Sequence, residues 1–234
     1  MRRTALGVML GAAALVLGAC GERDAATARG VPAAGKITAT PADTDVKARG
    51  GAVPRGYVAI TDQQGASIGD AAYTQREPGR WEVRTGPAHI LYQPGDSASG
   101  KYSVSATFEQ LEAPTHPEAF GVFVGGSRLD DPAARRYTYF IVRGDGKFMV
   151  KVRDGGETRT VVPWTAHPGV PKQDASGRAL YGMKVDVDGG TARVSVNGVQ
   201  ITTISASQGP LDGVAGVRIN HNLHLVVTPV SITR

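Results

Sequence analysis

Two pairs of closely spaced acidic residues are the candidates for catalytic carboxylates. Asp186 and Asp188 are two residues apart, so both side chains would lie on one face of a β-strand, and Glu109 and Glu112 flank the end of another predicted strand. Two carboxylates about 5 Å apart can hydrolyse a glycosidic bond. A solvated strand face explains both pairs more simply, because the strand pairing derived below places Arg193 opposite Asp186. We predict no catalytic residue from either pair.

Motifs for metal binding and for nucleophilic catalysis are weak or missing. His221-x-x-His224 is the nearest approach to a metal-ligand spacing, but the sequence offers no third ligand beside it. Calcium needs six to eight oxygens, and turn formation alone explains Asp145 and Asp154, which precede glycines. His-Glu-x-x-His does not occur. We therefore predict no metal and no cofactor, with calcium as an alternative that no motif supports.

The single cysteine, Cys20, directly follows an apolar segment that begins after Arg2 and Arg3. A basic start, a short apolar stretch and small residues (Leu17-Gly18-Ala19) form a secretory signal peptide, too short to span a bilayer as a mature helix. The cysteine after the small residues resembles the bacterial lipobox. That resemblance implies diacylation of Cys20 and removal of residues 1–19. The paired arginines are compatible with export by the general route or by the twin-arginine route.

Lipidation predicts a protein anchored to a membrane of the cell envelope. Gly21 is not the aspartate that often retains lipoproteins at an inner membrane, which favours an outer membrane, facing the periplasm or the cell surface, where the organism has one. An acylated Cys20 leaves no thiol for a disulfide. The formal net charge of +5 falls to +3 when Arg2 and Arg3 leave with the signal, and the charge is spread along the chain. This pattern argues against a nucleic-acid partner.

The mature chain divides into a tether and one domain. Residues 20–51 contain the lipidated cysteine and few large apolar side chains, so they cannot bury enough surface to offset their ordering entropy, and we predict a flexible tether. Residues 52–234 contain short runs of alternating apolar residues separated by Gly, Pro and Asp-Gly, which predicts a single β-rich domain. Within it, the segment from Val53 to Gln75 is the least clear and can add a strand at an edge.

The segment 180–204 predicts three consecutive antiparallel strands. A turn at Gly189-Gly190 would pair Val185 with Val194, with apolar residues on one face and charged residues on the other. Asn197-Gly198 is a strong signal for a second two-residue turn, which would pair Val194 with Ile201.

The segment 136–154 predicts a second hairpin, closed by Gly144-Asp145-Gly146. This register places Phe140 opposite Val150 on the core face. A third hairpin, with its loop at residues 220–222, would pair Val217 with Leu225 and leave His224 opposite Arg218. Counted with the other runs, ten or more short strands and no good helix predict an antiparallel sandwich of the jelly-roll type.

The face of the second hairpin that points away from the core carries an unusual set of side chains. These are Tyr137, Tyr139, Ile141, Met149, Lys151 and Arg153. Tyrosine rings offer a sugar an apolar platform with a hydroxyl donor, and the cations suit an acidic glycan. We predict a ligand-binding face made of Tyr137, Tyr139, Met149, Lys151 and Arg153, with Trp164 as a loop side chain that closes over it. The alternative is a second small core, since strands that are apolar on both faces are usually buried.

The quoted strands resemble a known fold. "MKVDVDGGTARVSVNGVQI" resembles the hairpin of concanavalin A-like lectin/glucanase domains of the laminin G-like kind, and "LDGVAGVRINHNLHLVVTPVSI" resembles their last two strands. The likeness spans Trp81 to Thr233 and implies an all-β, antiparallel two-sheet jelly-roll sandwich, concanavalin A-like. Its motifs are turn and core residues, which specify architecture rather than function. Retaining hydrolases of this fold carry a Glu-x-Asp-x-x-Glu strand, which is absent here.

Three classes of function are compatible with the sequence. The first is a membrane-anchored envelope lipoprotein with a non-catalytic binding domain for a glycan or another envelope polymer. The second is an enzyme like the glycoside hydrolases of this fold, which would need carboxylates converging from separate strands. The third is a structural lipoprotein without a small ligand. The sequence favours the first.

Overall fold

The computed structural model describes residues 44–234, so Cys20, the signal peptide and most of the predicted tether lie outside the described residues. Fifteen β-strands and one short 3-10 helix, Ile68–Asp70, make up the described elements. The strands are β1 (Val58–Thr61), β2 (Ala72–Glu77), β3 (Arg80–Arg84), β4 (His89–Ala98), β5 (Tyr102–Gln110), β6 (Ala119–Ser127), β7 (Arg136–Arg143), β8 (Lys147–Asp154), β9 (Glu157–Ala166), β10 (Ala179–Asp188), β11 (Thr191–Val196), β12 (Val199–Ser205), β13 (Gly213–Ile219), β14 (His224–Val227) and β15 (Ser231–Thr233).

The strands form two antiparallel sheets, which confirms the predicted fold class. The seven-stranded sheet has the order β1-β4-β13-β6-β7-β8-β9. The eight-stranded sheet has the order β12-β11-β10-β5-β14-β3-β2, with β15 paired to β5. The inner faces of both sheets contribute to one apolar core, which contains Phe108 and Val185 from one sheet and Phe120 and Val217 from the other. The alternation of apolar and polar residues along each strand produces this arrangement.

Both central hairpins have the predicted register. Val185 pairs with Val194, and Phe140 pairs with Val150. Asn197 and Gly198 have φ values of 48° and 80°, as a two-residue turn of the primed type requires. The second turn differs in one respect, because a register shift after Val194 makes this residue pair with Thr202 instead of Ile201. The turn chemistry therefore determines the pairing near the turn but not beyond the bulge.

The predicted hairpin between β13 and β14 is wrong. β13 pairs with β4 and β6 in the seven-stranded sheet, whereas β14 pairs with β3 and β5 in the eight-stranded sheet. The connection is an arch that crosses the sandwich, and Asn222 within it has a positive φ of 54°. Val217 and Leu225 are both buried, as expected, but they belong to opposite sheets. His224 consequently does not lie opposite Arg218.

The residues before β1 already contact the domain. The backbone N–H of Val46 donates to Oδ1 of Asn222 at 2.8 Å, and that of Ala48 donates to the carbonyl of Asp70 at 3.0 Å. Residues 44–48, which the sequence predicts to be part of the tether, therefore contact the arch and the 3-10 helix. The segment from Val53 to Gln75 supplies an edge strand to each sheet, namely β1 and β2.

Candidate functional site

The predicted ligand-binding residues lie on the outer face of the seven-stranded sheet, where the two tyrosines are buried. Tyr137 is 1% exposed and Tyr139 is 5% exposed. Both belong to an apolar cluster on this face, which we call the second cluster. Its buried members are Ile90, Tyr92, Ala119, Phe123, Leu129, Tyr137, Tyr139 and Ile141. The two rings are therefore not available as an open platform, and the alternative of a second small core describes them.

The packing around Phe123 explains this burial. Its ring lies 5.2 Å from that of Tyr137, which lies 5.5 Å from that of Tyr139. Gly216 leaves room for Phe123, since a Cβ at this position would come within 2.5 Å of the ring. Leu129, in the connection between β6 and β7, adds a further buried side chain. The contacts made by Phe123 and Leu129 come from outside the 137–153 hairpin, so the hairpin sequence alone did not reveal them.

The other predicted site residues are more varied in their exposure. Met149 and Lys151 on β8 are half-buried, whereas Arg153 is 9% exposed. Trp164 was predicted in a loop, but it lies in the edge strand β9, where the guanidinium of Arg143 sits 4.3 Å from its ring centroid. The structure brings these residues onto one face. Ligand binding by this face stays a prediction.

An open groove crosses the outer face of the eight-stranded sheet. Its volume is about 420 Å³. We call it the Arg–Glu groove, and its lining consists of Arg76, Glu77, Arg80, Glu109, Leu111, Glu112, Arg178, His224 and Val226. A second concavity of about 400 Å³ shares Glu112 and His224 with it. Alternation along the strands produces the groove, because Trp81, Val83 and Phe108 point into the core and their neighbours point outwards.

Glu109 lies in the middle of the groove and is fixed by two arginines. Arg80 contacts its Oε2 at 3.2 Å, and Arg178 contacts its Oε1 at 3.1 Å. Leu180, its cross-strand neighbour on β10, is 55% exposed and offers an apolar surface beside these charges. The ion pairs hold the polar side chains in one arrangement, which reduces the entropy lost when a ligand binds.

His224 lies between two carboxylates at the end of the groove. Its Nε2 is 2.7 Å from Oε1 of Glu82, and its Nδ1 is 3.3 Å from Oε1 of Glu112. Only the Nε2 contact is a hydrogen bond, because Nδ1 is buried and has no hydrogen-bond partner. Burial would raise the pKa of Glu82, but hydrogen bonds from His224 and Arg76 outweigh burial and lower it. Glu82 is therefore a carboxylate at neutral pH.

The groove contains carboxylates from separate parts of the chain, namely Glu77, Glu109 and Glu112, and Glu82 lies beside it. Glycoside hydrolysis needs one protonated acid beside one carboxylate, whereas the pKa of Glu82 is lowered. Asp186, from the pair considered first, is bonded to Ser103 and Lys184 on the same sheet. Within residues 44–234, no group of three or more His, Asp or Glu side chains is arranged to hold a metal ion.

Sequence reasoning missed this site because its members are distant in the chain. Glu82 and His224 are 142 residues apart, and the incorrect hairpin placed His224 on the wrong sheet. One local signal was present, since "RWEVR" alternates charged and apolar residues, so Arg80, Glu82 and Arg84 share the outer face of β3.

Comparisons with known proteins identify the fold. No family model matches the sequence, and no curated protein matches it. Among solved structures, the chain is similar to the carbohydrate-binding module CBM66 from Bacillus subtilis, with 10% identity and a TM-score of 0.52 over 76% of this chain and 96% of that one. It is also similar to a Bacillus subtilis protein of unknown function with a galectin-like fold, with 15% identity and a TM-score of 0.55 over 75% and 88% of the two chains. The chain therefore has a jelly-roll, concanavalin A-like sandwich fold.

Proposed function

We propose that the domain is a non-catalytic glycan-binding module and that the Arg–Glu groove is its binding site. The observation that carries this proposal is the open groove of about 420 Å³, in which Glu109 is held by Arg80 and Arg178. Carboxylates and guanidinium groups in fixed positions can form paired hydrogen bonds with neighbouring sugar hydroxyls. The exposed side chain of Leu180 can contact the apolar face of a sugar ring.

The similarity to a carbohydrate-binding module supports this proposal at the level of fold. The groove is inferred from the side chains of this protein and not from the structure of the carbohydrate-binding module. It lies open across several strands, which suits an extended chain of sugars rather than a small molecule enclosed in a pocket.

The double substitution Arg80→Ala with Arg178→Ala tests the groove. We expect the wild-type chain to bind a subset of glycans on an array of neutral and uronic-acid oligosaccharides. The variant should lose at least about tenfold in affinity, because charge-assisted hydrogen bonds are removed. Isothermal titration calorimetry with the selected glycan measures the change. Stability should change by about 1 kcal/mol or less per ion pair, since Arg80 and Arg178 are 40% and 53% exposed.

Arg136→Ala is the matched control, because Arg136 forms a similar exposed ion pair with Asp154 on the other sheet. This variant should bind the glycan as the wild type does. The groove would be rejected as a glycan site if the wild-type chain bound no glycan on the array. Equal affinities of the double variant and the wild type would reject it as well.

A hydrolase acting on the same kind of ligand is the second candidate. Two carboxylates, of Glu82 and Glu112, and the imidazole of His224 lie together at the end of the groove, and these are groups that acid–base catalysis uses. Mass spectrometry of the array oligosaccharides after incubation distinguishes the two functions. Shortened products that disappear in Glu82→Gln would favour the enzyme.

We further propose that the mature protein is held in the cell envelope by lipid on Cys20. The support is the signal peptide and lipobox-like sequence before this residue. In residues 44–234, no helix is long and apolar enough to span a bilayer.

Cys20→Ser should therefore release the protein from the membrane. We expect wild-type protein in the membrane fraction, with a mass that includes acyl chains and lacks residues 1–19. The serine variant should carry no lipid mass. Wild-type protein that keeps residues 1–19, or that is soluble without lipid, would contradict the proposal.

A further inference from the structure

Three arginines are buried beside the tyrosines of the second cluster. Arg135, Arg153 and Arg218 are 3%, 9% and 5% exposed. Arg218 forms a bidentate ion pair with Asp62, which directly follows β1. Arg135 donates to the backbone carbonyls of Thr61 and Asp62, both at 3.1 Å. These contacts explain how the chain after β1 is held against the outer face of the seven-stranded sheet.

The charges of this group do not balance. Arg153 donates one hydrogen bond, from its Nε to the carbonyl of Gly155 at 2.7 Å. Asp62 is the only carboxylate that forms an ion pair with any of the three arginines within the part of the chain that the structure describes. Three guanidinium groups therefore face one carboxylate in surroundings that exclude most water. Buried charge without a counter-charge is costly, so a further anion would stabilise the group.

Two of these arginines also have unused hydrogen-bond donors. The Nε atoms of Arg135 and Arg218 are buried and have no partner. The guanidinium carbon of Arg218 lies 5.5 Å from the ring centroid of Tyr139, and both tyrosines interact electrostatically with Arg153 and Arg218. Burial raises the pKa of Tyr139 to about 12. Its hydroxyl therefore remains a donor throughout the physiological pH range.

The geometry points to a binding site for one small oxyanion, a carboxylate group, among Arg135, Arg153 and Arg218. Lys151 is the cross-strand neighbour of Tyr139 on β8 and is half-buried, so it provides a further cation at the border of the site. The carboxylate can belong to a uronic acid of a glycan or to a free organic acid. This site lies on the other sheet from the Arg–Glu groove, and its existence does not depend on the groove.

Thermal unfolding of the full-length chain in detergent tests the site. The probes are sodium acetate, sodium glucuronate and glucose, each compared with sodium chloride at equal ionic strength. We expect a rise in Tm that grows with the logarithm of the anion concentration and reaches about 4 °C at ten times the dissociation constant of the bound anion. Glucose should have no effect. A rise with glucuronate alone assigns the site to an acidic sugar, and a rise with acetate as well assigns it to any accessible carboxylate.

Arg153→Gln should abolish this rise, because Arg153 donates the fewest hydrogen bonds of the three buried arginines and so has the most free capacity for the anion. Arg136→Gln is the control, since the neighbouring Arg136 points to the other face of β7 and is 47% exposed.

Should Arg153→Gln fail to fold, Lys151→Gln and calorimetric titration of the wild type replace it. The site would be overturned if both carboxylates raised the Tm of the wild type no more than chloride does. An unchanged rise in Tm for the folded variant would also overturn it. The Arg80→Ala, Arg178→Ala double variant should keep the rise, which separates this test from that of the groove.

Discussion

Val194→Asp is expected to unfold the domain or to lower its free energy of unfolding by more than about 4 kcal/mol. Val194 is fully buried between β10 and β12, where it pairs with Val185 and Thr202. A carboxylate at this position would lose its hydration without gaining a partner. Because domains of this size are stable by about 5–15 kcal/mol in total, such a loss leaves little folded protein. Urea unfolding followed by circular dichroism measures it.

Ser195→Asp is the control for this prediction. Ser195 is the next residue along β11, but it points outwards and pairs with Lys184. Its change in stability should stay within about 0.5 kcal/mol. Similar unfolding midpoints for the two variants would show that the face assignment of β11 is incorrect.

The central hairpins could be predicted because their information is local. Gly189-Gly190 and Asn197-Gly198 adopt the positive φ values that two-residue turns require. Once the turn is fixed, alternation decides which side chains meet. The bulge after Val194 shifts the pairing by one residue, and the neighbouring residues do not predict it.

The arch between β13 and β14 could not be predicted in this way. Alternation showed that Val217 and Leu225 are buried, but burial does not state which sheet each strand joins. In the structure, the side chain of Asn222 bonds to Val46 and to the carbonyl of Thr44, more than 170 residues away. Such contacts decide between a hairpin and a crossover, and they are invisible in the local pattern.

Local sequence patterns are equally insufficient to predict the functional sites on the outer faces of the two sheets. The sequence revealed that the 137–153 hairpin is apolar on both faces, and two outcomes, an open platform or a second core, were compatible with that pattern. Phe123, Leu129 and Gly216 decide for the core, and all three come from other parts of the chain. Conversely, the Arg–Glu groove is assembled from several separate segments, so its individual residues appear as ordinary solvated charges.

Asp62→Ala should destabilise the domain by about 3–5 kcal/mol, because it leaves the buried guanidinium of Arg218 without its counter-charge. The loss should be larger than that from Asp154→Ala, since Asp154 pairs with Arg136 at an exposed position and such pairs contribute about 0–1 kcal/mol. Urea unfolding at pH 7 compares the two variants. Replacing both members, with Asp62→Leu and Arg218→Leu together, should recover much of the loss, because no unpaired charge from this pair remains.

The pH dependence of stability gives an independent measure of the same ion pair. Burial would raise the pKa of Asp62, but Arg218, with help from Arg153 and Arg135, outweighs burial and lowers it below its usual value. A carboxyl group with a lowered pKa in the folded state contributes stability that is complete above its unfolded pKa of about 4 and is lost as the pH falls through the folded pKa. The wild type should therefore lose more stability than Asp62→Asn when the pH is lowered from 5 to about 2. Parallel curves of stability against pH for the two proteins would mean that Asp62 does not neutralise the arginines. The charge count that supports the anion site would then be incorrect.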